Sequence, residues 1–203
     1  MSFNFPTILI GLGGIGSNIA NMVYGTVPPE QRGRVGIHAF DTDANSISKL
    51  EHLRNSATET STSHSVNEYL QANKEVLKWF PNNPQIKRKT MTDGAGQVRA
   101  VSRLAFRSAM SQGKLNAMWD GIERIFPVDS HAQSYNVRVI IISSLVGGTG
   151  SGIFLQIALY LREMLERKLN SESVLIRGVF LLPDILVRSN TVDQTEWEAV
   201  QGN

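Results

Sequence analysis

The stretch Val137-Arg138-Val139-Ile140-Ile141-Ile142-Ser143-Ser144-Leu145-Val146-Gly147-Gly148-Thr149-Gly150-Ser151-Gly152 decides how the chain is read. The near-continuous β-branched run Val137 to Ile142 is the pattern of a strand buried on both faces, and Ile153 to Arg167 behind it has the length and apolar content of a helix. Glycines between a strand and a helix let the backbone turn tightly and bring its N–H groups close to an anion. The helix behind them adds the positive end of its dipole. Gly147 to Gly152 is therefore a phosphate cradle. A second cluster, Gly11-Leu12-Gly13-Gly14-Ile15-Gly16, stands in the same position behind the strand-like run Thr7 to Ile10. Two such cradles in one chain point to a nucleotide.

Along the whole chain, strand-like runs (Thr7 to Ile10, Val35 to Phe40, Val137 to Ile142, Val174 to Leu182) alternate with helix-like ones (Asn18 to Tyr24, Asn45 to Arg54, Val66 to Phe80, Val98 to Met110, Leu115 to Phe126, Ile153 to Arg167). This order predicts an α/β fold in three layers, a mostly parallel Rossmann-like sheet with helices on both faces. With 203 residues, 41% of them hydrophobic, the chain has the material for one nucleotide-binding domain over residues 1–203. Residues 51–93 read as an inserted helical and loop segment, with Val66 to Phe80 ending at the breaker Pro81-Asn82-Asn83-Pro84. Trp79 and Phe80 are expected to pack on their own domain, and the Ser/Thr-rich stretch Ser56 to Ser65 reads as a surface loop.

Absences narrow the chemistry. Neither glycine cluster is followed by the lysine of a Walker-type P-loop. With no cysteine there is no disulfide, thiolate zinc site or cysteine nucleophile. His38, His52, His64 and His131 are scattered and form no recognised triad. Net charge is +2 and the longest basic cluster, Lys87-Arg88-Lys89, is short, so a nucleic-acid partner is not expected. Met1 to Pro6 lacks the features of a signal peptide, and no run approaches the ~20 apolar residues of a membrane helix; the expected location is the cytoplasm, with no membrane partner.

Read together, Gly13-Gly14-Ile15-Gly16-Ser17-Asn18, then Asp41-Thr42-Asp43-Ala44, then Gly94-Ala95-Gly96, then Gly147 to Gly152 resemble, in order, the nucleotide-binding loops of the tubulin and FtsZ superfamily. The likeness runs from Ile8 to about Pro183 and is strongest to FtsZ and to the larger bacterial proteins called tubulin-like. The resemblance implies a GTP/GDP-binding domain, with Mg2+ carried on the nucleotide and homo-oligomer or filament formation in the full-length protein. It places the α- and β-phosphates on Gly147, Gly148, Thr149, Gly150, Ser151 and Gly152, with the Thr149 and Ser151 hydroxyls as added donors and Gly13, Gly14 and Gly16 closing from the other side. Asp43 faces the terminal phosphate and its Mg2+, Gly94, Ala95 and Gly96 sense the γ-phosphate, and Asn18 and Asn21 lie towards the base. The plainer roles are an N-cap for Asp43, a helix cap for Asn18 and a salt bridge for Arg99, which otherwise reaches phosphate.

The chain departs from the family pattern in three places. Asp41 replaces a common asparagine, Val146 replaces a glycine, and Asp184 is out of register with the acid used against the ribose. The sequence ends before the family's central helix and its water-activating loop can be recognised, so no catalytic residue is assigned. Two other folds share the first cradle and Asp41, an ATP-dependent ThiF-like adenylating domain and an NAD-binding Rossmann domain, but neither uses Gly147 to Gly152. A non-enzymatic nucleotide-binding scaffold is a third alternative. On the phosphate reading, Gly148→Val and Gly150→Val abolish nucleotide binding and leave the fold largely intact.

Overall fold

The computed structural model describes residues 5–91, 98–126, 136–168 and 173–184. Five strands, β1 (Thr7–Leu12), β2 (Val35–Asp41), β3 (Ala57–Glu59), β4 (Asn136–Ser144) and β5 (Ser173–Leu181), form one all-parallel sheet in the order β3-β2-β1-β4-β5. Among the described residues eight α-helices accompany them: α1 (Gly13–Gly25), α2 (Pro29–Arg32), α3 (Ala44–Ser48), α4 (Val66–Ala72), α5 (Pro84–Lys87), α6 (Arg99–Ser111), α7 (Asn116–Glu123) and α8 (Gly148–Lys168). The chain winds outward from β1 to β3, crosses back, and continues through β4 and α8 to β5, so the strand order reverses between β1 and β4.

Residue alternation explains why the strands read as unbroken apolar runs. Ile8, Ile10 and Leu12 of β1, Phe40 of β2 and Val137, Val139 and Ile141 of β4 face α6, α7 and α8. Leu9, Ala39 and Ile142 face the side of α1, together with Leu50 and Leu53 after α3. Both faces are covered, as a parallel sheet requires. Among the described residues no helix is long and apolar enough to cross a membrane.

Residues 66–91 build a second apolar cluster on the outside of α6. Val66, Tyr69, Leu70, Val76, Phe80 and Met91 pack on Val101, Leu104 and Ala105, while Phe106 and Ala109 of the same helix belong to the sheet core. The expected single helix Val66 to Phe80 is broken at Asn73, whose backbone (φ −128, ψ 69) ends α4 and leads into a 3-10 turn over Lys74–Lys78. Ser65 starts α4 with a capping box, accepting from the Glu68 amide at 3.2 Å while the Glu68 carboxylate accepts from the Ser65 amide at 2.8 Å. Phe80 is buried as expected, and Trp79 is half-buried beneath Arg103.

Ser56 to Ser65 is not the surface loop that its composition predicts. It supplies β3, and Thr58, Thr60, Ser61 and Thr62 are buried. Their polarity is met by long-range and local partners: Thr58 Oγ1 lies 2.8 Å from His38 Nε2, Thr60 Oγ1 donates to the Asp41 carbonyl at 3.2 Å, the Lys114 ammonium donates to the Ser61 carbonyl at 2.8 Å, the Ser61 hydroxyl donates to the Glu59 carboxylate, and Thr62 Oγ1 lies 2.9 Å from His64 Nδ1.

Phe40 joins the layers, fully buried with its ring centroid 5.8 Å from that of Phe106 and 4.8 Å from that of His38. Phe40→Ala should lower the unfolding free energy by about 3–5 kcal/mol, read from urea denaturation at fixed pH.

Candidate functional site

The site forms where β1 and β4 end side by side. Leu12 is in register with Ser143; α1 starts at Gly13 directly after β1, and α8 starts at Gly148 after the bend at residues 145–147 that follows β4. The glycine run is thus mostly the first turn of α8, which starts five residues before the Ile153 that the sequence suggests. Leu12, Gly13, Gly14, Ile15, Ser144, Gly147, Gly148, Thr149 and Gly150 line a cleft of about 180 Å3. Neither helix carries an acidic residue in its first turn, so both positive dipole ends, each worth roughly half an elementary charge, are unopposed from within.

The glycines divide into two groups. Gly13 has φ +68, a left-handed conformation that side chains disfavour, and a Cβ there would stand 3.3 Å from the Gly150 amide nitrogen, which shows how closely the helix starts approach. Gly16, Gly150 and Gly152 are required by the protein's own packing. Side chains there would strike the Ile142 carbonyl, the Ser143 hydroxyl and the Leu12 carbonyl (2.8 Å), and the Arg99 carbonyl (2.6 Å), respectively. Gly147 is different, with nothing within 4 Å of a Cβ, and Gly14 is nearly so, its nearest neighbours being Ser46 Oγ at 3.6 Å and Asp41 Oδ2 at 3.8 Å. Gly150→Val is therefore expected to disturb the fold, which corrects the expectation drawn from sequence.

Polar side chains around the cleft are mostly engaged. Thr149 Oγ1 lies 2.9 Å from Thr42 Oγ1 and donates to Asp41 Oδ1 at 3.5 Å, tying α8 to the end of β2. The Ser151 hydroxyl turns back onto the Gly147 carbonyl and accepts from Arg99 Nε at 3.1 Å. Arg99 Nη2 donates to the Leu145 carbonyl at 3.2 Å. Arg99 thus braces the strand-to-helix turn from outside the cleft. Val146 is buried against Ile15 and Leu181.

Asp43 is the N-cap of α3, accepting from the amides of Asn45 (2.9 Å) and Ser46 (3.2 Å) and from the Ser46 hydroxyl (2.8 Å). The Ser46 hydroxyl first, then the Asn45 amide, hold its carboxyl below the usual range. Asp41 is buried beside Gly14 and Thr149 of the cleft lining, at 4% exposure, with Oδ1 accepting from the Thr42 amide at 2.7 Å and the Asp43 amide at 3.3 Å. Burial outweighs those bonds and raises its pKa from 3.8 to about 6.

Asn18 is exposed on α1, and the Asn21 carboxamide oxygen accepts from the amides of His52 (2.7 Å) and Leu53 (3.2 Å), a structural tie. Asp184 is exposed, whereas Gly94, Ala95 and Gly96 lie outside the described residues. Ile15 and Ser144 line the cleft without standing out in the sequence; the polar pair Ser143-Ser144 closing an apolar strand was the available signal.

Two tests follow from this geometry. Gly150→Ala should unfold at a clearly lower denaturant midpoint than wild type, whereas Gly147→Ala should match wild type; equal midpoints would contradict the packing. The second concerns pH. An acid with a raised folded pKa binds more protons folded than unfolded, so Asp41 costs stability as pH rises from about 4 to about 6, on the order of 3 kcal/mol in all. His38, depressed by burial from 6.5 to about 3, acts in the opposite direction across 3 to 6.5. Urea unfolding at a series of pH values should show Asp41→Asn gaining on wild type up to about pH 6 and running parallel above it. A constant difference would overturn the assignment.

Comparison with known proteins agrees with this architecture. A family model described as "Tubulin like" matches residues 8–201. CetZ1 from Haloferax volcanii, solved as a GDP-bound monomer, shares the fold with a TM-score of 0.50 at 16% identity, over 90% of this chain and 42% of CetZ1. The chain therefore spans less than half the length of that protein. A comparison with the curated protein sequences gave no match. By the extent of the family match, the chain belongs to the tubulin-like family.

Proposed function

We propose that this chain is a guanine-nucleotide-binding domain, taking GDP or GTP with the phosphates in the cleft between the starts of α1 and α8 and Mg2+ arriving on the phosphates. The observation that carries the reading is the convergence of two helix N-termini, free of acids in their first turns, on a cleft where Gly147 leaves open space. The free N–H groups at the start of α8 and those of Gly13 and Gly14 are the donors, and Thr149 sets the distance to Asp41. Membership of the tubulin-like family and the GDP bound to CetZ1 favour guanine over adenine. An adenylating or NAD-binding role would leave the start of α8 without a ligand. Nucleotide-dependent self-assembly and hydrolysis in the cytoplasm are proposed for the whole protein, with this chain as its nucleotide-holding part.

The test is competition for a fluorescent GDP analogue in the presence of Mg2+. GTP and GDP should displace it and ATP and NAD should not. Gly147→Val should weaken binding by at least about tenfold, or ~1.4 kcal/mol, with an unchanged melting temperature. Equal displacement by ATP would move the assignment to an adenylating fold, and unchanged affinity in Gly147→Val would remove the phosphates from this cleft.

A further inference from the structure

Helix α8 is apolar nearly all round, with Ile153, Phe154, Leu155, Ile157, Ala158, Leu159, Tyr160 and Leu161 in succession around Gln156. Its inner stripe, Ile153, Ile157, Leu161 and Leu165, is fully buried against the sheet. Leu155 and Leu159, one turn apart on the outer side, are each 60% exposed. An apolar outer face on a helix already buried along its inner stripe is the pattern of a surface that something covers.

Beside these leucines runs a groove of about 370 Å3, between α8, the start of α6 and the turn at Trp79 and Pro81. Trp79, Pro81 and Phe154 supply apolar wall, and the charged residues lining the groove are Arg99 and Arg103. Arg103 lies over the Trp79 ring at 4.3 Å from its centroid. A guanidinium stacked this way keeps its N–H edge free for a planar carboxylate. Neither arginine has a carboxylate partner among the described residues, whereas Arg107, one turn further along α6, is paired with Glu75 at 2.8 Å. Gln156 Oε1, also in the wall, is buried without a hydrogen-bond partner among the described residues.

We propose that this groove docks an acidic, apolar-anchored peptide segment of a partner protein. A leucine or aromatic side chain of the partner sits between Trp79 and Leu155/Leu159, and a neighbouring carboxylate takes the free edge of Arg103. The elements are those of interface hot spots, an aromatic anchor and an arginine beside a concave apolar wall, and the leucines one turn apart suit an amphipathic helix. Charge selects the occupant. A second copy docked symmetrically would bring two cationic grooves together, and a basic segment would meet the same repulsion. The inference stands independently of the nucleotide reading.

The test pans a phage-displayed library of random dodecapeptides on the full chain and measures the affinities of the selected peptides as synthetic ligands. Selected sequences should carry carboxylates flanking Leu, Phe or Trp. Their affinity should fall at least about tenfold for Arg103→Glu and for the pair Leu155→Ser/Leu159→Ser, exposed changes that leave the melting temperature unchanged. Replacing the peptide's acids by lysine should restore binding to Arg103→Glu, which a mere folding defect would not allow. Peptides without acids, or affinities indifferent to both variants, overturn the proposal. So does a concentration-dependent dimer lost in Leu155→Ser, which assigns the groove to a second copy. Binding that appears only after deletion of residues 185–203 also overturns it, by assigning the groove to the chain's own end.

Discussion

Everything in the site depends on how closely β1 and β4 let their two following helices begin. The strands are neighbours in register, and the helices leave them towards opposite faces of the sheet, so the starts of α1 and α8 meet over one edge. That meeting is possible because Gly16 rests against the Ile142 carbonyl and Gly150 against Ser143 and the Leu12 carbonyl. A methyl group at either place would push a helix away from its neighbour strand. The cleft is then a consequence of packing. Two helix starts are brought to one place by the topology, and an anion is the kind of group that would satisfy their N–H groups.

Asp41 is buried beside that field, next to Gly14 and Thr149 of the cleft lining. Burial raises its pKa to about 6, against the amides of Asp43 and Thr42 and the Thr149 hydroxyl, which favour the ionised form. At neutral pH the carboxylate is therefore mostly charged and poorly solvated, a cost to stability retained beside the cleft. Its position is held from two sides, by the backbone turn at the end of β2 and by Thr149 at the start of α8. Asp43, two residues on, is fully committed to capping α3. In sequence Asp43 is the stronger site candidate, because it matches the family's acid and Asp41 does not; in the structure Asp43 caps α3 and Asp41 is the buried acid beside the cleft.

The sheet and its two glycine-rich strand-to-helix junctions were legible in sequence because a parallel sheet covered on both faces imposes long apolar runs, and strand-glycine-helix junctions stand out between them. What was not legible depended on tertiary contacts. Glycine is a poor helix former, so Gly148 to Gly152 read as a loop, yet contact with Ser143 and Arg99 holds them as the first turn of α8. Thr58 to Thr62 read as surface because hydroxyls are usually solvated. His38 and Asp41, distant in sequence, give the Thr58 and Thr60 hydroxyls partners, Lys114 takes the Ser61 carbonyl, and Glu59 and His64 pair locally with the Ser61 and Thr62 hydroxyls. The role of individual glycines was also hidden. Composition cannot separate Gly147, which faces open space, from Gly150, which faces its own strand.

Helix α6 connects these features. One side of it completes the sheet core through Phe106 and Ala109, the other seats the 51–93 segment through Val101, Leu104 and Ala105, and its first residue, Arg99, braces Ser151 and Leu145 at the cradle. A helix buried on two sides has little freedom to shift without disturbing both cores, because close-packed interiors transmit displacement. Residues 66–91 therefore do more than decorate the fold. By burying the outer side of α6 they fix the helix whose start supports the glycine turn, and through Trp79 and Pro81 they build one wall of the groove that Arg103 and the outer face of α8 complete.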